Sequence, residues 1–253
     1  MRQAIKKLIK SIFGTKTYKV LANQYRKVVA NICQDNLNRL AGLFGSDKYG
    51  FHFYTEQYMK LFSPLRKQKL KILEIGIGGF EDPDQGGASL LAWQYFFPNA
   101  SIYGIDLYDK TKLDSKRIKT FKGSQVDRNF LTDVINNTGR MDIIIDDGSH
   151  IPIHQVESFK FLFPYLNDGG YYVVEDTLSS YNPYYDKEDG PQGNFLNFAK
   201  SLTDYVNFRN DPAFLKEDFE TIKKELSHND TSSLAGELEF VSFYEQMVII
   251  KKK

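Results

Sequence analysis

The chain has 253 residues, 42% hydrophobic and 26% charged, with a formal net charge of +1. That length can bury a sizeable core, and the balanced charge gives no bulk attraction to nucleic acid, so no nucleic-acid partner is expected. The one cysteine, Cys33, excludes an intramolecular disulfide and fits a reducing compartment, where it reads as a small buried apolar residue on a helix.

In chain order, residues 1–34 carry eight Lys/Arg and no acid. Residues 3–13 place Ile5, Leu8, Ile9 and Ile12 on one helical face and Lys6, Lys7 and Lys10 on the other. Such a basic helix can pack on the protein body or make peripheral contact with an anionic membrane. No apolar run reaches the roughly 18–20 residues that span a bilayer, and lysines break any signal-peptide core. A cytoplasmic protein is the expectation, with packing of this helix on the body preferred and contact with the inner membrane surface as the alternative. Residues 18–42 continue as helix, with Leu21, Tyr25, Val28, Val29 and Ile32 at helical spacing. The domain reading is a basic helical extension over 1–42 and a second domain over 43–253.

From residue 69 strands and helices alternate. LKILEIGIG (70–78) is a buried strand running into glycines, and 88–97 is a helix stopped by Pro98. SIYGIDLY (101–108) is a second strand and 116–123 contains a third, followed by a helix over 127–137. MDIIIDD (141–147), a helix over 152–166 and GYYVVED (170–176) complete the alternation. It implies an α/β fold, a mostly parallel sheet covered by helices. LEFVSFYEQMVIIKK (238–252) adds an antiparallel C-terminal hairpin turning around Tyr244–Gln246. Residues 178–213 are aromatic and polar with weak periodicity, and read as an insertion beside the strand ends.

Ligands of open α/β sheets sit beyond the carboxyl ends of the strands, and four acidic strand ends fall there. Glu74 precedes Gly76 and Gly78; Asp106 lies 28 residues after Gly78; Asp147 and the pair Glu175–Asp176 follow. Glycines let backbone approach a ligand, and Asp106 can accept from ribose hydroxyls, a pairing that suits any adenosine-containing ligand. A full G-x-G-x-x-G from Gly76 fails, because the third position holds Glu81. Clustered carboxylates repel unless a cation sits among them, and oxygen ligands favour Mg²⁺ or a similar hard ion. His150 precedes Pro152 in the strand-to-helix turn and can take a proton near neutral pH. Asp146 reads as structural and His228 as exposed. His154 breaks the H-E-x-x-H pattern, because position 151 is isoleucine, and reads mainly as a helix residue. His52, in HFYTEQY (52–58), is a candidate pocket residue.

LEIGIGG, YGIDLYD, GSQVDRNFL (123–131), the run from Ile143 to Asp176 and SSYNP (179–183) together resemble the class I S-adenosylmethionine-dependent sugar O-methyltransferases. More narrowly, they resemble the metal-dependent branch acting on macrolide deoxysugars, of the mycinamicin and macrocin type. The resemblance covers about residues 43–183, LFGSDKYGFHFYTEQYMKLF (43–62) included. It implies a Rossmann-like, seven-stranded sheet with the last strand antiparallel, and S-adenosyl-L-methionine over the glycine loop with its ribose on Asp106. It places Ser124, Gln125 and Asp127 near adenine or ribose, Asp147, Glu175 and Asp176 as ligands of Mg²⁺ (or Mn²⁺), and His150 as general base. Those enzymes carry a larger N-terminal region, so their oligomer contacts and acceptor lid are not carried over, and a homo-oligomer stays open.

The expected function is Mg²⁺-assisted methyl transfer to a sugar hydroxyl of a cell-surface polysaccharide, which is slightly preferred, or of a glycosylated natural product. Tyr181, Tyr184, Tyr185 and Phe195 would offer aromatic faces to the sugar or glycan acceptor. Alternatives are a non-catalytic adenosine-ligand protein of the same fold and a nicotinamide-dependent oxidoreductase. Glu81 and the C-terminal hairpin oppose the oxidoreductase.

Overall fold

The computed structural model describes residues 2–185, 194–207, 234 and 236–253, with side chains from Gly14 onward except Lys16 and Lys19. The chain divides into two compact units, Met1–Gln68 with Leu91–Asn99, and Lys69–Leu90 with Ala100–Lys253. The segment 43–62 thus falls in the first unit.

In that unit α1 (Arg2–Ile32) is interrupted at Gly14, whose φ of 75° and ψ of 158° are not helical. The helix expected over 18–42 breaks at residues 33–36. Asn36 takes an extended conformation there, and its side chain accepts from the Arg39 N–H at 3.0 Å, which starts α2 (Leu37–Phe44). Side-chain capping of this kind favours a fresh start over continuation. Leu21, Tyr25, Val28 and Ile32 lie on one face of α1 and are exposed. Among the described residues no helix is long and apolar enough to cross a membrane. α3 (Tyr54–Phe62) supplies Tyr58 and Phe62 to an aromatic core, with Trp93 edge-on to Tyr58 at 5.1 Å. Trp93 belongs to α4 (Ala88–Phe96).

The second unit is built on seven strands: β1 (Lys71–Ile75), β2 (Ser101–Asp106), β3 (Ile118–Lys122), β4 (Met141–Asp146), β5 (Leu166–Glu175), β6 (Leu238–Tyr244) and β7 (Met247–Lys252). Their order is β3-β2-β1-β4-β5-β7-β6, with β7 antiparallel to both neighbours and the other pairs parallel. This is the expected Rossmann-like architecture, seven mixed strands with the antiparallel hairpin at the C-terminus. The central strands are near-continuous apolar runs because both their faces are buried. One face, through Leu73, Ile144, Tyr172 and Val248, joins a single core with α5 (Arg128–Thr138), α6 (Pro152–Leu162) and α7 (Phe195–Asn207). Residues of the opposite face, Ile72, Ile143, Ile145 and Val173, are buried too. α6 is shorter than expected, because Pro164 lies in a 3-10 turn after it and β5 begins already at Leu166.

The strand order reverses between β1 and β4, so the two neighbours' following loops diverge and open a crevice there. Gly76 is required at this point. A side chain on it would collide with the Asp147 carbonyl, and its φ of 80° is unfavourable to other residues. The Asp147 N–H donates to the Ile75 carbonyl at 2.9 Å, stitching the two strand ends together.

Candidate functional site

The glycine loop and β2 meet at Asp106. Its carboxylate accepts from the Ile77 N–H at 3.2 Å and the Tyr108 N–H at 2.9 Å. Two backbone donors hold the group still and leave acceptor capacity for a further donor. Beside it a side chain on Gly78 would meet open space, and Leu107 is exposed. An anchored carboxylate, an open glycine backbone and an apolar neighbour fit the ribose and base of an adenosine-containing ligand.

Other candidates for the cofactor are placed differently. Glu74 lies in mid-strand, paired with Gly104 and Ile145, and is 0% exposed, so it presents no surface to a ligand. Gln125 is 6% exposed and its amide is spent inside the protein. It donates to Asp146 at 3.1 and 3.2 Å and to Ser158 at 2.9 Å, while accepting from the Ser149 N–H at 2.8 Å. Gln125 therefore braces the turn that carries Ser149 and His150. Asp127 is the N-cap of α5, accepting from the Asn129 and Phe130 N–H groups. Ser124 accepts from the Val126 N–H at 3.4 Å and keeps part of its surface exposed.

The parallel pairing of β4 with β5 brings their carboxyl ends side by side. Asp147, His150 and Asp176 each offer a ligand atom, all within 4.8 Å of one another, and all three are half-buried. His150 Nε2 is 3.6 Å from Asp176 Oδ2, and its Nδ1 is buried without a hydrogen-bond partner. His150 and Asp176 both adopt left-handed backbone, at φ 57° and 53°. Residues with side chains resist that conformation, and its use is concentrated at functional sites. Glu175 is not in this group; it is the last ladder residue of β5, opposite Met247, and is 1% exposed. Successive strand residues face opposite ways, and the left-handed turn at Asp176 carries the next carboxylate toward Asp147. The structure thus gathers two carboxylates and an imidazole where three carboxylates were expected. Oxygen and nitrogen donors, with like charges partly withdrawn from water, suit a divalent cation.

Asp146, next to Asp147, points the other way into the core. Burial pushes it up to about 7, against the hydrogen bonds from the Gly148 N–H and Gln125; the Asp147 charge adds to the rise. The structural reading of Asp146 stands. His154, in the first turn of α6, contacts Ser149 Oγ through Nδ1 at 2.9 Å. His52 stacks on Tyr54 at 4.9 Å in the first unit. His228 lies outside the described residues.

A groove of about 510 Å³ starts at Thr177, directly after Asp176. Leu178, Tyr181, Leu196, Phe243 and Tyr244 give it apolar walls, with Lys200 and Glu245 supplying charge. Gln246, at φ 57° in the β6–β7 turn, accepts from the Thr177 N–H at 3.1 Å and so ties the hairpin to the end of β5. The hairpin's part in this wall was missed from sequence; the exposed aromatics at Phe243–Tyr244 were the available signal. Tyr181 is in the wall and exposed, whereas Tyr184 and Tyr185 pack edge-on against each other at 5.6 Å outside it. Phe195 is a correction. It is 0% exposed in the core of α7, because the apolar face of that helix turns inward and leaves Leu196 at the groove. Residues 186–193 and 208–213 of the expected insertion lie outside the described residues.

No family model matches the chain. Individual relatives do. It is 39% identical over 204 residues to mycinamicin VI 2''-O-methyltransferase of Micromonospora griseorubida, covering 78% of this chain and 51% of that one. It is 46% identical over 151 residues to 8-demethyl-8-(2-methoxy-alpha-L-rhamnosyl)-tetracenomycin-C 3'-O-methyltransferase of Streptomyces olivaceus, covering 59% and 39%. Among solved structures, the MycE methyltransferase of the mycinamycin pathway, in complex with Mg, SAH and mycinamycin VI, superposes with a TM-score of 0.73 at 34% identity. That match covers 86% of this chain and 54% of that one. The chain spans about half the length of the curated relatives it matches. Over the matched region it is homologous to sugar O-methyltransferases of macrolide and tetracenomycin glycosides. These relatives lend no support to a cell-surface polysaccharide.

Proposed function

We propose that the chain transfers a methyl group from S-adenosyl-L-methionine to a sugar hydroxyl of a glycosylated natural product. The observation that carries this reading is the convergence of Asp147, His150 and Asp176 beside an apolar groove, one sheet position from the Asp106–glycine crevice. The names of the relatives and the Mg- and SAH-bound neighbour support it.

Asp106, held by two backbone N–H groups, receives the ribose hydroxyls. Asp147 and Asp176 hold Mg²⁺, which when bound lowers the pKa of a neighbouring hydroxyl. His150 takes the proton that the acceptor hydroxyl loses as its oxygen bonds to the methyl carbon and the methyl–sulfur bond breaks, leaving S-adenosylhomocysteine, and Asp176 faces the resulting imidazolium. Leu178, Tyr181, Phe243 and Tyr244 seat the acceptor's body, fixing the hydroxyl for in-line attack. Gly76 joins the two halves, since its backbone lies against the Asp147 carbonyl.

Labelled S-adenosylmethionine is incubated with desmethyl macrolide and tetracenomycin glycosides, with and without EDTA. Label entering a sugar and lost with EDTA is the expected result. No transfer to any such glycoside, with transfer to a polysaccharide instead, would overturn the acceptor assignment.

A further inference from the structure

Resting on that reading, a second set of residues outside the metal cluster shapes the methyl-donor site. Lys110 lies four residues beyond Asp106, and is 2% exposed. Its ammonium donates to the carbonyls of Phe80 at 2.7 Å, Asp82 at 2.7 Å and Gln85 at 3.1 Å. An ammonium has three protons, and here each meets one carbonyl of the loop after Gly78–Gly79. A buried charge this costly to desolvate persists where its hydrogen bonds are complete. The same loop is closed at its neck by the Gly87 N–H on the Ile77 carbonyl at 2.6 Å. It is locked within by the close approach of Gly79 to the backbone of Gln85 and Gly86. Asp82 adds bonds to the Asp84 N–H and the Gln85 amide.

So much internal bonding serves a loop whose most conspicuous side chain makes no use of it. Phe80 is 83% exposed and sits at φ 44°, a left-handed conformation that phenylalanine disfavours. An exposed aromatic residue gains nothing from burial here, and its backbone costs stability that glycine would not. It lies two residues after the open backbone of Gly78, and its own carbonyl is secured by Lys110.

We propose that Phe80 is a contact for the bound methyl donor and that Lys110 is its positioning residue, acting as an internal cation that shapes the Phe80–Gly87 loop. The donor-side site then runs from Asp106 across Gly78 to the Phe80 ring. Lys110 contributes through the loop's carbonyls and touches no ligand itself.

Calorimetric titration of S-adenosylhomocysteine into the full chain, with thermal melts alongside, separates the possibilities. Phe80→Gly removes the ring and the backbone strain together, so its melting temperature should hold or rise while affinity falls at least tenfold. Lys110→Met keeps the stem and loses the charge, and should weaken the ligand at least tenfold. Wild-type binding with both variants within threefold of it would overturn this inference and leave the proposed function standing. Should Lys110→Met fail to fold, Phe80→Gly alone decides: unchanged affinity in that variant refutes the contact. Absence of binding by folded wild-type protein would remove both the inference and the function it rests on.

Discussion

At the β1–β2 end of the sheet edge the polar groups of the loop are answered by other parts of the chain. Asp106 is held by two amides, and three loop carbonyls meet Lys110. At the β4–β5 end the turn is braced from behind by Gln125, yet its working face brings two carboxylates together and leaves His150 Nδ1 buried without a partner. The first region is complete as it stands, a preformed surface for a ligand that brings its own hydroxyls. The second brings two carboxylates side by side with an imidazole, an arrangement that a cation between them favours. Under the proposed function, the contrast puts recognition of the donor at one end and metal-assisted proton removal at the other.

Breaking the reactive end should have the largest effect. His150→Ala should lower kcat by roughly two to four powers of ten, as expected for loss of a general base, with donor affinity retained; this is read from steady-state kinetics and calorimetry. Full turnover in that variant would take the proton-transfer role from His150.

Asp146 sharpens the difference between two adjacent carboxylates. Its folded pKa of about 7 lies above the usual 3.8. The folded protein therefore keeps a proton that the unfolded chain releases. The stability this group contributes is full below about pH 4, declines as pH rises toward 7, and levels off above it. The decline amounts to roughly 4 kcal/mol at most. Asp146→Asn should flatten that part of the profile when denaturation is followed at several pH values in EDTA. A variant with the wild-type slope would show that Asp146 does not carry it.

Gln125→Leu tests the brace. It leaves the Ser149 N–H without its acceptor and the Asp146 carboxylate with the Gly148 N–H but not the Gln125 amide, and should cost roughly 2 kcal/mol in urea denaturation. Donor affinity should change less than stability does. The smallest effect is expected at Asp127, where Asp127→Ala should cost about 1 kcal/mol as a lost helix cap. Unchanged donor affinity there would confirm capping as its role, and a tenfold loss would restore it to the cofactor site.

The sheet was legible because its signals are local. Apolar runs ended in acids at β1, β2, β4 and β5, and the hairpin declared itself through two adjacent strand patterns. Asp147, His150 and Asp176 stood out because they lie at or just beyond acidic strand ends, and the parallel pairing of β4 with β5 brings those ends together. What could not be read depends on side chains that meet across long separations. Gln125 serves Asp146, 21 residues on, and Lys110 serves carbonyls 25 to 30 residues back. Neither has a local pattern. The direction of Glu175 and Phe195 was also hidden. Each sits one residue from a neighbour facing the site, and a single step along a strand or helix reverses or rotates the side chain. Asn36 was readable in principle, as a capping residue ahead of a new apolar helix.

The metal cluster is the centre of the account, and Mn²⁺ titration followed by electron paramagnetic resonance tests it without knowledge of the acceptor. One Mn²⁺ should bind per wild-type chain, be displaced by Mg²⁺, and fail to bind the Asp147→Asn/Asp176→Asn double variant. Saturable binding that survives both substitutions, or no binding to folded wild-type protein, would contradict the assignment.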